Sequence, residues 1–164
     1  EGTSALRKLK EGIRAVRDLY AGPLVCHATS DFLMELELEL AGKITAATFS
    51  KGGIDTKVPA VDGVPIIMTP SNRMYTAITL LDGKTGGQEA GGYKKGETAK
   101  NLNFFLCPRT TPIAITKQDV MRIFDPVTNQ RANAWQMDYR RFHDIWILDN
   151  KLDSVFLNIK DNEG

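Results

Sequence analysis

With 164 residues, 42% of them hydrophobic and 25% charged, the chain can build one domain with a real core, which excludes disordered, collagen-like and mucin-like polymers. Its 21 Lys and Arg against 20 Asp and Glu leave a net charge of +1, which removes the usual electrostatic basis for a dedicated nucleic-acid or membrane-surface binder without excluding local patches. No apolar run approaches the roughly 18 to 20 residues that cross a bilayer, and no basic-then-apolar signal segment opens the chain, so no membrane partner is expected.

Leu6, Leu9, Ile13, Val16, Leu19 and Tyr20 recur at intervals of three and four between basic residues, which predicts an amphipathic helix capped by Thr3 or Ser4 and stopped at Gly22-Pro23. Leu24 to Ala28 reads as a short buried strand. Thr29, Ser30 and Asp31 can cap a second helix from Phe32 to about Leu40, ended by Gly42. A half-buried strand competes across Glu35 to Leu40, where Glu and Leu alternate, but both are strong helix formers and a cap precedes them. From Lys43 to Asp62 the pattern weakens into short extended pieces, punctuated by Gly52-Gly53 and Asp62-Gly63. Val64 to Met68 is a strand in which Pro65 points to an edge position or a strand start. Gly83 to Gly96 holds six of the fourteen glycines and reads as a long mobile loop.

Leu102 to Cys107 is the next apolar strand, broken at Thr110-Thr111-Pro112, with shorter pieces at Ile113 to Thr116 and Val120 to Phe124 before an Asp125-Pro126 turn. In the last third, Trp135, Met137, Tyr139, Arg141, His143, Ile145 and Ile147 fall on one face of an extended strand. Gln136, Asp138, Arg140, Phe142, Asp144, Trp146 and Leu148 fall on the other. Turn residues Asp149-Asn150-Lys151 and an apolar piece at Val155 to Ile159 follow, which predicts a hairpin. Both faces carry large aromatics, so both are expected to meet protein. Charge is uneven: residues 21–42 carry four acids and no Lys or Arg, whereas residues 101–131 carry four bases and two acids. Such complementary patches suit a chain that packs against copies of itself, although a solvated mixed surface is the commoner explanation.

Chemistry is sparse. Cys26 and Cys107 sit in apolar stretches, which favours buried, reduced thiols of a cytosolic compartment over a disulfide. Cys26 and His27 are adjacent, but neighbours on a strand point to opposite sides and cannot share a proton. Two His and two Cys give no zinc spacing, and Gly83-Lys84-Thr85 fails as a phosphate loop because its first glycine would fall on Ile78. Glu35, Glu37 and Glu39 do not converge on one point of a helix. No cofactor, no metal and no enzymatic activity are expected.

Several segments in order resemble one family: Gly22-Pro23-Leu24-Val25-Cys26-His27-Ala28-Thr29-Ser30-Asp31-Phe32, then Val61-Asp62-Gly63-Val64-Pro65-Ile66-Ile67, the Ser71 to Tyr75 neighbourhood and Ile123-Phe124-Asp125-Pro126. Most telling is Ala134-Trp135-Gln136-Met137-Asp138-Tyr139-Arg140-Arg141-Phe142-His143-Asp144 running into Ile147-Leu148-Asp149-Asn150-Lys151. Together, over about Ala5 to Lys160, they are similar to the C-terminal half of major capsid proteins of tailed bacteriophages and prophages, the fold named after phage HK ninety-seven.

The resemblance implies an α+β subunit with an axial domain over residues 1–109 and the C-terminal strands of a peripheral domain over 110–164. It implies self-assembly into pentamers and hexamers of an icosahedral shell, with copies of itself and nonspecifically packaged DNA as partners and no small-molecule substrate. The place of work would be the virion capsid, made in the bacterial host cytoplasm. The family's spine helix, extended loop and N-terminal arm have no counterpart here, so the chain is expected to be part of a longer subunit, and no cross-linking residues carry over. Without its spine helix the strand should expose an apolar patch around Phe142 and Trp146, with Arg140, Arg141 and His143 completing the expected subunit interface. An encapsulin-like compartment shell is the alternative within the fold. A small-ligand or peptide binding module, lidded by the glycine-rich loop, is the alternative outside it.

Overall fold

The computed structural model describes residues 4–40, 45–51, 54–129 and 131–160. In chain order the elements are α1 (Ala5–Leu19), β1 (Leu24–Ala28), α2 (Ser30–Leu40), β2 (Thr45–Lys51), β3 (Ile54–Val61), β4 (Val64–Met68), β5 (Ile78–Leu81), β6 (Gly92–Lys95), β7 (Leu102–Pro108), β8 (Pro112–Phe124), β9 (Gln136–Ile147) and β10 (Phe156–Ile159). The fold is α+β. The chain divides into two units, one running to Arg109 and resuming at Asp153, the other spanning Thr110–Leu152.

The first unit is a six-stranded sheet in the order β10-β7-β1-β4-β3-β2. Its centre, β1, runs parallel to β4 and antiparallel to β7. Period-two alternation sends Leu24, Cys26 and Ala28 of β1, Val64 and Ile66 of β4, and Phe104 and Leu106 of β7 into one core with Leu9, Ile13 and Val16 of α1 and Phe32 and Leu36 of α2. The predicted stripe of α1 is the buried one, apart from its last turn, where Leu19 is exposed. Gly12 lets α1 sit close on the sheet: a Cβ there would lie 2.9 Å from Leu106 and Phe156 side-chain carbons.

Both helix starts are chemically defined. Thr29 Oγ1 accepts from the Phe32 amide at 3.4 Å and caps α2. The Ser4 hydroxyl accepts from the Arg7 amide and itself donates to Glu39, whose carboxylate also accepts from the Ala5 and Leu6 amides at 2.8 and 2.9 Å. The C-terminal turn of α2 thus supplies an acidic cap to the positive end of α1. Glu35 to Leu40 is helical, as propensity and the preceding cap indicate. The proposed stops at Gly42 and Gly52-Gly53 lie outside the described residues.

Several expectations change. The weakly patterned region resolves into a β2–β3 hairpin paired continuously from Thr45↔Ala60 to Lys51↔Ile54, its alternation hidden because small and polar residues occupy most of β2. The Asp62-Gly63 turn has φ of 52° and 77°, the paired positive values of a tight two-residue hairpin turn, and joins β3 to β4. Pro65 stands at the start of an interior strand, not at an edge: it pairs with Ala60, and the β1 register begins only at Ile66. The glycine tract is not one long loop. Its last part is β6, paired with β5 from Ile78↔Lys95 to Leu81↔Gly92. Asp82 organises the turn between them, accepting from the Lys84 and Thr85 amides at 2.8 Å and from the Thr85 hydroxyl at 2.6 Å.

The hairpin expected between the long strand and Val155–Ile159 does not form. Along twelve register pairs β9 runs antiparallel to β8, from Pro112↔Ile147 to Phe124↔Gln136, while β10 hydrogen-bonds to β7. The two short pieces expected between Ile113 and Phe124 are one strand with an irregularity between Thr116 and Gln118. A 13-residue strand matches a 12-residue one far better than a four-residue strand can. The second unit spans Thr110–Leu152, and β10 belongs to the first unit.

Candidate functional site

The second unit is a two-stranded ribbon, β8 with β9, and among its described residues only Thr111 is buried. Directly paired residues share a face, so the register assigns both surfaces. One face carries Ile113 with Trp146, Ile115 with Asp144, Gln118 with Phe142, Val120 with Arg140 and Arg122 with Asp138. The other carries Ala114 with Ile145, Thr116 with His143, Asp119 with Arg141, Met121 with Tyr139 and Ile123 with Met137. The two alternating sets on β9 are those the sequence predicts, while their partners on β8 are not.

Every residue of β9 is exposed. Phe142 is 54% and Trp146 59% exposed, so the bare apolar patch expected around them is present, and the opposite face is bare as well, with Tyr139 at 62% and Met137 at 72%. Arg140, Phe142 and Trp146 share one face, whereas Arg141 and His143 lie on the other, so the ribbon does not bring the five expected interface residues together. Arg141 reaches Asp119 at 3.8 Å and Thr116 Oγ1 at 3.5 Å. On the first face a shallow hollow is lined by Gln118, Val120, Arg122, Asp138 and Arg140, a mixed-charge floor beside apolar shoulders. The connection between the strands is tied by Asp125, whose carboxylate accepts from the Thr128 hydroxyl and amide, each at 2.6 Å, and these bonds hold it below the usual carboxylate range.

Sequence reasoning does not find the β8 half of this surface, notably Ile115, Met121 and Ile123, all exposed. The signal available was the alternation of Ile113-x-Ile115 and Met121-x-Ile123 on either side of the polar Lys117-Gln118-Asp119. It also does not find Met34 and Leu38 on α2, which are 58% and 74% exposed.

The Cys26–His27 pair has the geometry of a folded sheet. Cys26 faces the helices, fully buried, and burial first, then Cys107 nearby, pushes its thiol up to about 12. His27 faces the opposite side, half-buried, stacked on Phe105 with ring centroids 4.8 Å apart and hydrogen-bonded through Nδ1 to Thr69 Oγ1 at 3.0 Å. Burial lowers its pKa. A protonated thiol and an imidazole on opposite faces offer no nucleophile–base couple. Cys107 is also a buried free thiol. Among the described residues no three His, Cys, Asp or Glu side chains gather as a metal site, and no helix is long and apolar enough to cross a membrane.

The sheet, its helices and the ribbon define an α+β chain with one cored unit and one bare one. No family model, curated protein or solved structure matches it.

Proposed function

We propose that this chain is a structural subunit acting through self-assembly, belonging to the icosahedral shell of a tailed bacteriophage or prophage. Its copies pack into pentamers and hexamers around DNA, which the shell contacts nonspecifically. Assembly takes place in the bacterial cytoplasm and ends in the virion capsid, without catalysis or cofactor. The ordered segments that resemble the capsid family support this reading. The carrying observation is the ribbon: a two-stranded hairpin is marginal in water by itself, and this one leaves Phe142, Trp146, Tyr139 and Met137 exposed across two faces. Apolar surface of that extent on a regular element calls for protein against it, and a shell tile provides it by meeting several neighbours.

The test is electron microscopy with sedimentation velocity on the full-length product across a wide concentration range. Rings, capsomers or shells are the expected particles. Uniform monomers under every assembly condition overturn the proposal.

A further inference from the structure

The two helices of the first unit turn faces of opposite sign to solvent. On α1, Arg7, Lys10, Arg14 and Arg17 outnumber Glu11 and Asp18 among exposed positions, whereas α2 carries Asp31, Glu35, Glu37 and Glu39 and no base. Each face also has an apolar element. On α1, Ser4, Leu6, Arg7, Lys10, Glu11 and Arg14 form one open strip of surface, so the partly buried Leu6 lies among basic side chains. On α2, Met34 and Leu38 stand one turn apart and exposed, with Asp31 and Glu35 beside them at the same spacing. Burying the two side chains removes apolar surface from water, and the flanking carboxylates have the sign that the basic α1 side chains attract.

Resting on the self-assembly reading, we propose that the Met34–Leu38 ridge of α2 in one copy docks on the α1 strip around Leu6 of the next, with Glu35 and Glu37 meeting Arg7 and Arg14. The occupant is a second copy because both strips belong to one unit and are complementary to each other. A polyanion would be drawn to α1 and repelled by α2; another copy satisfies both. The local ion pairs already present, Arg7–Glu11 at 3.0 Å, Lys10–Asp62 at 3.7 Å and Lys160–Asp31 at 3.8 Å, are exposed and exchange at small cost. Apolar burial supplies the attraction and the charges set partner and orientation. Two different patches meet, so the contact is heterologous: every added copy leaves one α1 and one α2 unsatisfied until a ring closes.

A charge-swap mixing experiment tests this. R7E/R14E makes both helix faces acidic, and E35R/E37R makes the α2 contact positions basic beside an unchanged basic α1, all at exposed positions. Each variant alone is expected to need at least about tenfold higher concentration than the parent chain to associate in sedimentation velocity, and an equimolar mixture is expected to recover association, because each then offers the other a complementary face at both contacts. The parent chain, which needs no substitution, should associate more weakly as salt rises from about 0.05 M to about 1 M. If the parent chain assembles and both variants assemble equally well, the docking is wrong and the shell reading stands. If the mixture fails to recover, or parent association ignores salt, the docking is likewise overturned. A parent chain that stays monomeric at every concentration overturns the docking, while the shell reading falls only if the full-length product also stays monomeric. Loss of duplex DNA binding in R7E/R14E with unchanged self-association assigns α1 to nucleic acid and overturns the proposal.

Discussion

Phe104 and Phe142 are both strand phenylalanines with alternating neighbours, yet Phe104 is fully buried and Phe142 is 54% exposed. The strand of the first, β7, lies between β1 and β10 under α1 and α2, and its ring packs 4.7 Å from Phe32 and 6.1 Å from Phe156. Among the described residues, the strand of the second pairs only with β8. The first unit therefore carries its own core, while the second leaves its large apolar side chains exposed. Regular pairing alone does not make a core; a layer on top does.

The sharpest way to break this contrast is to truncate one phenylalanine in each unit. Phe104→Ala should cost about 3 to 5 kcal/mol through lost burial and a cavity that the surrounding sheet fills only partly, read as a lower midpoint in urea unfolding followed by circular dichroism. A cost below about 1 kcal/mol contradicts a core centred there. In the ribbon, Phe142→Ser combined with Trp146→Ser should leave the unfolding midpoint of the isolated subunit nearly unchanged, within about 0.5 kcal/mol, because both side chains already meet solvent. The same double variant should raise the concentration needed for assembly by at least about tenfold, measured by sedimentation. Equal assembly would remove the ribbon from the contact.

Two smaller effects sharpen the comparison within the first unit. Glu39 is held below the usual glutamate range chiefly by the Leu6 amide, with the Ala5 amide and Ser4 hydroxyl adding to it. A carboxylate with a depressed folded pKa stabilises fully above its unfolded pKa, and that contribution is lost as pH falls through the folded value. Glu39→Gln should therefore lose a fraction of about 1 kcal/mol near neutral pH, since the cap is exposed. The difference from the parent chain should close on acidification in a thermal-unfolding series. Asp82 is held at about 2, first by the Thr85 hydroxyl and then by the Thr85 and Lys84 amides. Its turn should stay intact above the ordinary aspartate range and loosen only as pH falls toward 2, visible as movement of the Lys84 and Thr85 amide resonances. A midpoint near 4 would mean that these bonds are not formed in solution.

Where the hydrophobic period was strong, the sequence was legible. The buried stripe of α1, the strand Leu24–Ala28 and the apolar run that became β7 all stand out because one side of each packs into the shared apolar core. The hairpin β2–β3 does not, because Thr45-Ala46-Ala47-Thr48 carries too little contrast to mark a face. Within the candidate site, alternation showed which β9 side chains share a face, including Phe142 with Trp146. It could not show the partner strand: the polar Lys117-Gln118-Asp119 interrupts the apolar pattern where the paired strands shift register, so one long strand reads as two short ones.

Taken by itself, the sequence determined the two helices, the apolar strands β1, β4 and β7, the two alternating faces of β9, and that a cap residue at Thr3 or Ser4 and another among Thr29, Ser30 and Asp31 open α1 and α2. These are properties of residues within one or two turns of each other. Only the tertiary structure decided that β9 pairs with β8, that β10 returns to β7 and that both ribbon faces are left uncovered. Pairing is a contest between distant segments of similar local preference, and matched length together with the burial available in the sheet settles it.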